Sequence, residues 1–429
     1  MNASGFPRLV DLANQNFLQD EALALRILEL LPPQCFPPLL KVTVQRRHWG
    51  TLKVMVQAWP FPCLPLGDLM QVHQHHQEDI VTAVLDGLDS LRARQIPPRT
   101  WKLKVLDFRP SASADSRSAC CGTQASCSEL LLAEPEMAHP WPSRGETTSL
   151  ETREKQLWDP MKVLIDLCFK EVTLDTFLTF LIEQIKQRDE FIHLCCMKVE
   201  FHEKSIPIET IEEILNSMQL YSVQEVRVDC KWQFFHLAWF SRYLAHMVNL
   251  SRLHLSSVLL STWNLERGMK VVFDYASQLY KFNQLQHLHL DSIHFLYRYL
   301  GQLLSGVKVP LETLCITNCY LSEDNLTLLT LYPSTSQLRF LDFSNVNLTC
   351  ITPDILQVLV DRVSSTLQHL DLGGCGVTAF QLEAILPSLS NCSQLVYFRL
   401  FACPVSKYVL ESLLEHILIW CNKAHSWVN

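Results

Sequence analysis

The chain has 429 residues, 48% of them hydrophobic, and a net charge of −8 from 36 basic and 44 acidic side chains. That length suits two or three ordinary domains or one elongated repeat domain. It shows no long block of like charge, no glycine-rich phosphate loop (neither GxGxxG nor GxxxxGK followed by Ser or Thr) and no apolar run of about 18 residues, which speaks against nucleic-acid binding, nucleotide binding and a membrane span.

The N-terminus lacks a basic start followed by an unbroken apolar stretch, because Asp11, Gln19, Asp20 and Glu21 interrupt it. A secretory signal is not expected, and an intracellular chain would keep its 16 cysteines as thiols. Residues 6–98 read as helices separated by proline-rich turns: LVDLANQNFLQDEALALRILELLP, ended by Pro32, then GTLKVMVQAWPF and HQEDIVTAVLDGLDSLRARQ. Residues 1–98 are therefore expected to form a helical cap over the open end of a repeat array, which would otherwise expose apolar core. The HQHH run, with His73, His75 and His76, has no cysteine or carboxylate spaced to complete a metal site and reads as a polar helix start or loop.

LKVLDF from Leu103 reads as a strand. Residues 109–158, rich in Ser, Ala, Thr, Glu and Pro, show no sustained period and are expected to be a disordered insertion. Cys120, Cys121 and Cys127 sit there as the thiols most open to oxidation. PMKVLIDLCFKEVTLDTFLTFLIEQIKQ then reads as two helices.

From here a pattern takes over: apolar-x-x-apolar-x-apolar, then a turn slot holding Cys, Val or Ile. It begins at Leu250, Leu285, Leu311, Leu338, Leu367 and Leu395, and weaker copies of its strand part begin at Leu194 and Val223. The last four starts are 27, 29 and 28 residues apart, while the interval from Leu250 to Leu285 is 35 and implies an insertion. The period is that of leucine-rich repeats, each a short strand followed by a helix. The two apolar residues of each strand share one face, and only stacked neighbours can bury it. The predicted fold class is α/β: a leucine-rich-repeat horseshoe over residues 99–429, with a parallel concave sheet and convex helices. Ser322 with Asp324, and Thr378, are placed to cap helices.

Cys319, Cys375 and Cys403 occupy the slot that Val346 and Ile293 fill elsewhere. The slot wants a small, buried, mostly apolar side chain, which Cys supplies. Zinc would need converging ligands, and the sequence has no CxxC. A Cys375–Cys403 disulfide is geometrically conceivable and disfavoured inside a cell.

The outward strand residues can be read as columns. The first runs Asp107, Lys198, Arg227, His254, His289, Cys315, Asp342, Asp371 and Arg399. The next runs Arg109, Glu200, Asp229, Ser256, Asp291, Thr317, Ser344, Gly373 and Phe401. Lys198, Arg227, His254, His289, Asp291, Cys315, Thr317, Asp342, Asp371 and Arg399 are expected to form a concave face that binds a protein. Mixed charge on an extended face suits protein recognition better than a small-molecule pocket. His289 beside Asp291 resembles half a catalytic triad, but no nucleophile is forced into line with it. No catalytic residue, metal or cofactor is expected.

Several stretches carry a closer resemblance. LANQNFLQDEALALRILELLPPQCFPPLL, TLKVMVQAWPFPCLPLG, WKLKVLDFR, PLETLCITNCYLSEDNLTLL and LPSLSNCSQL closely resemble the PRAME family, named for preferentially expressed antigen of melanoma. The resemblance spans essentially the whole chain. It implies a horseshoe leucine-rich-repeat protein of germline, early embryo and tumours. It further implies a substrate receptor of a cullin-two RING ubiquitin ligase recruited through elongin, favouring proliferation and restraining apoptosis and differentiation. By the same resemblance, Leu18, Ala22 and Leu25 would dock elongin from the first helix, and LPPQCFPPLL would adjoin cullin. The family's final aliphatic falls one position later, where Arg26 stands. Anchors at this spacing describe a helix in a partner's groove and equally a helix packed on its own array. The alternative role is a co-repressor of retinoic acid receptor signalling, or a scaffold without ligase recruitment. The expected compartment is the cytoplasm, with the nucleus as an additional one. Relative to the family, the chain is expected to be shortened at its C-terminus, with Trp420, Trp427 and Val428 closing the array.

Overall fold

The computed structural model describes residues 21–94, 101–110, 160–170, 175–188, 191–202, 207–259 and 265–403, with Lys407, Val409 and Glu411. Leu18, residues 111–158 of the expected insertion with Cys120, Cys121 and Cys127, and the closing residues Trp420, Trp427 and Val428 lie outside them. The chain forms two compact units. The first draws on Met1–Asp166, Leu174–Cys196 and Ser217–Gln219, the second on Leu167–Thr173, Met197–Asn216 and Leu220–Asn429. The units thus divide within strands well beyond residue 98.

The first unit opens with α1 (Glu21–Leu30), which stops before the Pro32–Pro33 pair. α2 (Phe36–Gln45), α3 (Trp49–Gln57), α4 (Gly67–Val72) and α5 (Gln77–Arg92) follow. α5 packs on α3, and Gly87 permits the approach: a Cβ there would lie 2.6 Å from the Lys53 carbonyl oxygen. β1 (Cys63–Pro65) pairs in parallel with β2 (Val105–Asp107), and β2 with β3 (Met161–Phe169). Trp59 ties β1 to the helices, meeting Phe36 edge-on at 5.7 Å and donating from Nε1 to the Cys63 carbonyl at 2.9 Å.

β3 corrects one expectation. Residues 161–169 form a strand, not a helix. Met161, Val163, Ile165, Leu167 and Phe169 alternate onto a buried face, while Lys162, Asp166 and Cys168 are half-buried opposite. That period of two is the mark of a strand. The second expected helix does form, as α6 (Thr176–Lys186), capped by the Asp175 side chain, which accepts from the Phe177 amide at 3.0 Å.

The second unit repeats strand, turn and helix. Its strands are β4 (Ile192–His202, from Met197 onward), β5 (Glu225–Asp229), β6 (Arg252–Ser256), β7 (His287–Asp291) and β8 (Thr313–Thr317). β9 (Phe340–Asp342), β10 (His369–Asp371) and β11 (Tyr397–Arg399) complete them. From β4 to β11 each strand pairs in parallel with the next in chain order. The intervening helices are α7 (Ile208–Asn216), α8 (Phe234–Leu244), α9 (Leu265–Leu279), α10 (Leu296–Ser305), α11 (Glu323–Leu331), α12 (Pro353–Val363) and α13 (Ala379–Ser390). Paired inward residues such as Leu253 with Leu255, Leu288 with Leu290 and Leu370 with Leu372 are buried. Each such burial stabilises by about 1.5–3 kcal/mol, collected only when a neighbouring repeat covers it. The long interval between β6 and β7 contains α9, which at 15 residues is the longest helix of this unit among the described residues.

The turn slot explains its cysteines. From Val258 onward the residue before each slot takes a left-handed conformation: φ is 56° at Ser257, 53° at Ser292, 51° at Asn318, 60° at Asn345, 72° at Gly374 and 54° at Ala402. Asn and Gly tolerate that region best, and it swings the next side chain back under the sheet. Asn345 donates to the Asn318 side-chain oxygen at 2.9 Å, bracing adjacent turns. In the slot, Cys319 Sγ donates to the Leu290 carbonyl, Cys375 Sγ to Phe343 and Cys403 Sγ to Leu372. Each acceptor is the second inward residue of the preceding strand. Val and Ile fill the same space without that bond. All three cysteines are free thiols.

The predicted caps form at Ser322 and Thr378. Ser322 Oγ accepts from the Asn325 amide while Asn325 Oδ1 accepts from the Ser322 amide, so the reciprocal partner is Asn325 and not Asp324. Gln381 plays that part for Thr378, and its amide also donates to the carbonyls of Leu348 and Ile351 at 2.6 Å each.

Candidate protein-interaction face

Strand register sorts the outward side chains of the second unit into rows. Glu225, Arg252, His287, Thr313, Phe340, His369 and Tyr397 lie side by side in one row, and Lys198 belongs to it, opposite Glu225. The next row runs Glu200, Arg227, His254, His289, Cys315, Asp342, Asp371 and Arg399. This corrects the expected column at its start: Glu200, not Lys198, stands beside Arg227. β4 runs two residues further than its Leu194 start implied, so Val199 and Phe201 pair with Val226 and Val228.

Toward β4, charges neutralise one another. Lys198 Nζ lies 2.9 Å from Glu200 and 3.1 Å from Glu225, Arg227 pairs with Asp229, and His254 Nε2 meets Asp229 Oδ1 at 3.1 Å. Burial opposes the Glu200 carboxylate, yet Lys198 outweighs it and holds the pKa below the usual range. His289 is pushed down to about 4 by burial and by the neighbouring imidazoles of His254 and His287, so it is neutral at pH 7.

His289 and Asp291 turn to different partners. Asp291 accepts from Ser256 Oγ, Thr317 Oγ1 and the Asn318 side chain. His289 instead lies against His254, with centroids 5.6 Å apart. Thr317 thus serves the strand ends. Two other expected contact residues are withdrawn from the surface: Cys315 is 6% exposed and Asp371 4%. Asp371 accepts from the Gly373 amide and from Arg399, which fastens the end of its strand. Arg227, His254, His289 and Asp342 are half-buried, and Arg399 is exposed.

Toward β11 the face turns aromatic. Phe340 stacks on His369 at 3.8 Å and 15°, and His369 on Tyr397 at 4.1 Å and 11°. Tyr397 is 42% exposed, with Val396 and Phe401 open beside it. The stack borders a cleft of about 470 Å³ lined also by Glu312, Arg339 and Gln368. The expected columns missed this row because it lies before the first strand leucine, outside the residue read between the two. The cue was there: an aromatic or imidazole at Phe340, His369 and Tyr397, one per repeat.

In the first unit, Arg109 chelates the Asp107 carboxylate through Nε and Nη2 at 2.9 and 2.7 Å, a pairing that occupies both expected column residues. Leu25, expected to dock elongin, is 7% exposed, buried with Ala24 and Leu28 on a helix that packs on α3. Ala22 lies in α1, where Ile27 and Leu30 are exposed. Around the histidine run, His76 Nδ1 pairs with Asp79 at 3.0 Å. No helix among the described residues is long and apolar enough to cross a membrane.

Parallel strand–helix repeats with leucines inward and a continuous outward face define a leucine-rich-repeat protein. The chain belongs to the PRAME family: the profile of the PRAME N-terminal domain matches residues 6–114 and that of the PRAME C-terminal domain residues 161–424. It is 41% identical to human PRAME family member 12 over 417 residues, covering 97% of this chain and 83% of that protein. It is 39% identical to human PRAME family member 20 over 419 residues (96% and 83%) and 39% identical to member 8 over 411 residues (96% and 83%). Family and fold together support a protein-interaction scaffold and suggest a non-enzymatic one.

Proposed function

We propose that the chain recognises a protein partner on its outward sheet face and presents it to a cullin-RING ubiquitin ligase. The observation that carries the recognition reading is the exposed end of the Phe340–His369–Tyr397 stack beside an open cleft. Rigid aromatic rings bury much area at low entropic cost, which is why interfaces concentrate energy on them. The charge rows toward β4 would set register and exclude wrong partners. The ligase reading rests on family resemblance, with elongin docked through the Leu18 and Ala22 stretch and Leu25 left to the fold. In that role the chain would act in the cytoplasm or nucleus, favour proliferation and restrain apoptosis and differentiation.

A second reading has an observation in its favour. Burial of Leu25 removes one expected docking anchor, which favours a scaffold or transcriptional co-repressor that works without ligase recruitment.

Affinity purification from germ-cell lysate separates the two. Wild type should bring down elongin, cullin and a target. Ala22→Arg should lose elongin and cullin but keep the target, because a charge cannot enter an apolar groove without losing its hydration. A thermal melt of the variant controls for damage to the fold. If wild type binds a target and no elongin, the second reading takes over.

A further inference from the structure

Cys168, Glu200 and His202 come together in the second unit, with sulfur, carboxylate oxygen and imidazole nitrogen all within 4.8 Å of one another. Cys168 is the last outward residue of β3. Glu200 and His202 are the last two outward residues of β4, the neighbouring strand. No other group of three such ligands forms among the described residues. His202 Nε2 is enclosed and has no hydrogen-bond partner. An imidazole nitrogen in that position loses its water and gains nothing, unless something else coordinates it.

We propose that Cys168, Glu200 and His202 bind a thiophilic divalent transition metal, zinc being the ion their chemistry suits best. Magnesium and calcium prefer all-oxygen shells, whereas sulfur with imidazole selects zinc and its neighbours. Three protein ligands leave one tetrahedral position for water. Binding exchanges a proton for the metal: the Cys168 S–H bond breaks, sulfur bonds the ion as thiolate, and the proton leaves to solvent. Because a proton is released, uptake weakens as pH falls.

Lys198 sets the affinity. Its ammonium lies 2.9 Å from Glu200 Oε1 and 3.1 Å from Glu225 Oε1, so it competes with the metal for Glu200 and keeps Glu225 when the metal wins. The site escaped the sequence because two errors coincide on it. β3 was expected as a helix, which scatters Cys168, and β4 was set two residues early, which placed His202 beyond the strand.

Cobalt(II) added to the full chain tests this, because a thiolate ligand gives it a near-ultraviolet charge-transfer band. One equivalent should produce the band, and zinc should bleach it. Cys168→Ser should abolish it. His202→Gln should weaken uptake by more than the roughly tenfold that losing an outer-shell partner costs. Lys198→Met should tighten uptake by removing the competing cation. Replacing Cys120, Cys121 and Cys127 with Ser should leave the band intact. No band, a band that survives in C168S, or a band lost with Cys120, Cys121 and Cys127 would each overturn the site. Equal or weaker uptake in K198M would remove Glu200 from the ligand set and overturn the proposal as stated. Thermal melts without metal check the fold of each variant; should C168S not fold, H202Q decides.

Discussion

The imidazole of His369 lies flat on the phenol ring of Tyr397, their centroids 4.1 Å apart and their planes 11° from parallel. The two residues are partners in the β10–β11 register, so the backbone sets the contact. The Tyr397 ring is 42% exposed, and under the proposed function it meets a partner's side chain. Tyr397→Ala should therefore weaken partner binding by about 2 kcal/mol or more, the range of an interface hot spot. Its own melting temperature should barely move, because Tyr397 covers no core. Titration calorimetry against the purified partner, beside a melt of the variant, checks both halves.

Leu314 and Leu370 are 1% exposed or less, at the centre of the inward rows. Replacing either with Asp would place an unpaired charge in the core and should cost several kcal/mol, on the order of 4 or more. Adjacent repeats should unfold with it, since each buries its neighbour. Wild-type denaturant midpoints in L314D or L370D would show the repeat register to be wrong.

Thiol reactivity should follow burial. Cys319 and Cys375 are buried, and burial pushes their thiols up to about 11 and about 12. Little thiolate exists at neutral pH, and access is blocked. Cys350 is exposed. Peptide mapping after a short pulse of alkylating reagent should find Cys350 modified well before Cys319 and Cys375, which should react only after unfolding.

His289 makes stability depend on pH. Its folded pKa of about 4 lies below the unfolded value of about 6.5, so between these the unfolded chain binds more protons. Stability should fall as pH drops through that window, and this residue accounts for roughly 2 kcal/mol of the loss at pH 5. His289→Asn should flatten the profile between pH 7 and pH 4.5. Urea titrations at stepped pH would show it, and an unchanged slope would mean that His289 is protonated in the folded state.

The repeats from β6 onward were legible because two apolar residues per strand and a slot residue recur at a period of 26–29 residues, broken once by the 35-residue interval, and only stacking satisfies such a pattern. The shared cysteine slot and the Ser322 and Thr378 caps followed from the same alignment. β3 was less legible: MKVLIDLCF keeps an apolar residue at every odd position, but Leu164 interrupts the polar face and makes the stretch look uniformly apolar. β1 spans three residues among prolines, too short for any period to show. In β4 the error was a shift of two, which leaves inward and outward faces unchanged and so breaks no hydrophobic rule. Only backbone pairing exposes it. Burial of Asp371 was hidden for another reason: the Gly373 amide and the Arg399 guanidinium of the next strand close over it, and strand alternation alone marks neither contact.

Outward and inward residues alternate along every strand, and this separates two kinds of inheritance. The leucines, the slot and the left-handed residue before it must persist together, because each repeat's burial depends on the next. The outer rows carry no such debt to their neighbours. Phe340, His369 or Tyr397 can drift, one repeat at a time, without disturbing what lies beneath. Asp291, Asp342 and Asp371 are exceptions, since each fastens a strand end from the outward side. Duplicated copies of such a gene can therefore diverge quickly in what they recognise while remaining nearly identical in how they fold.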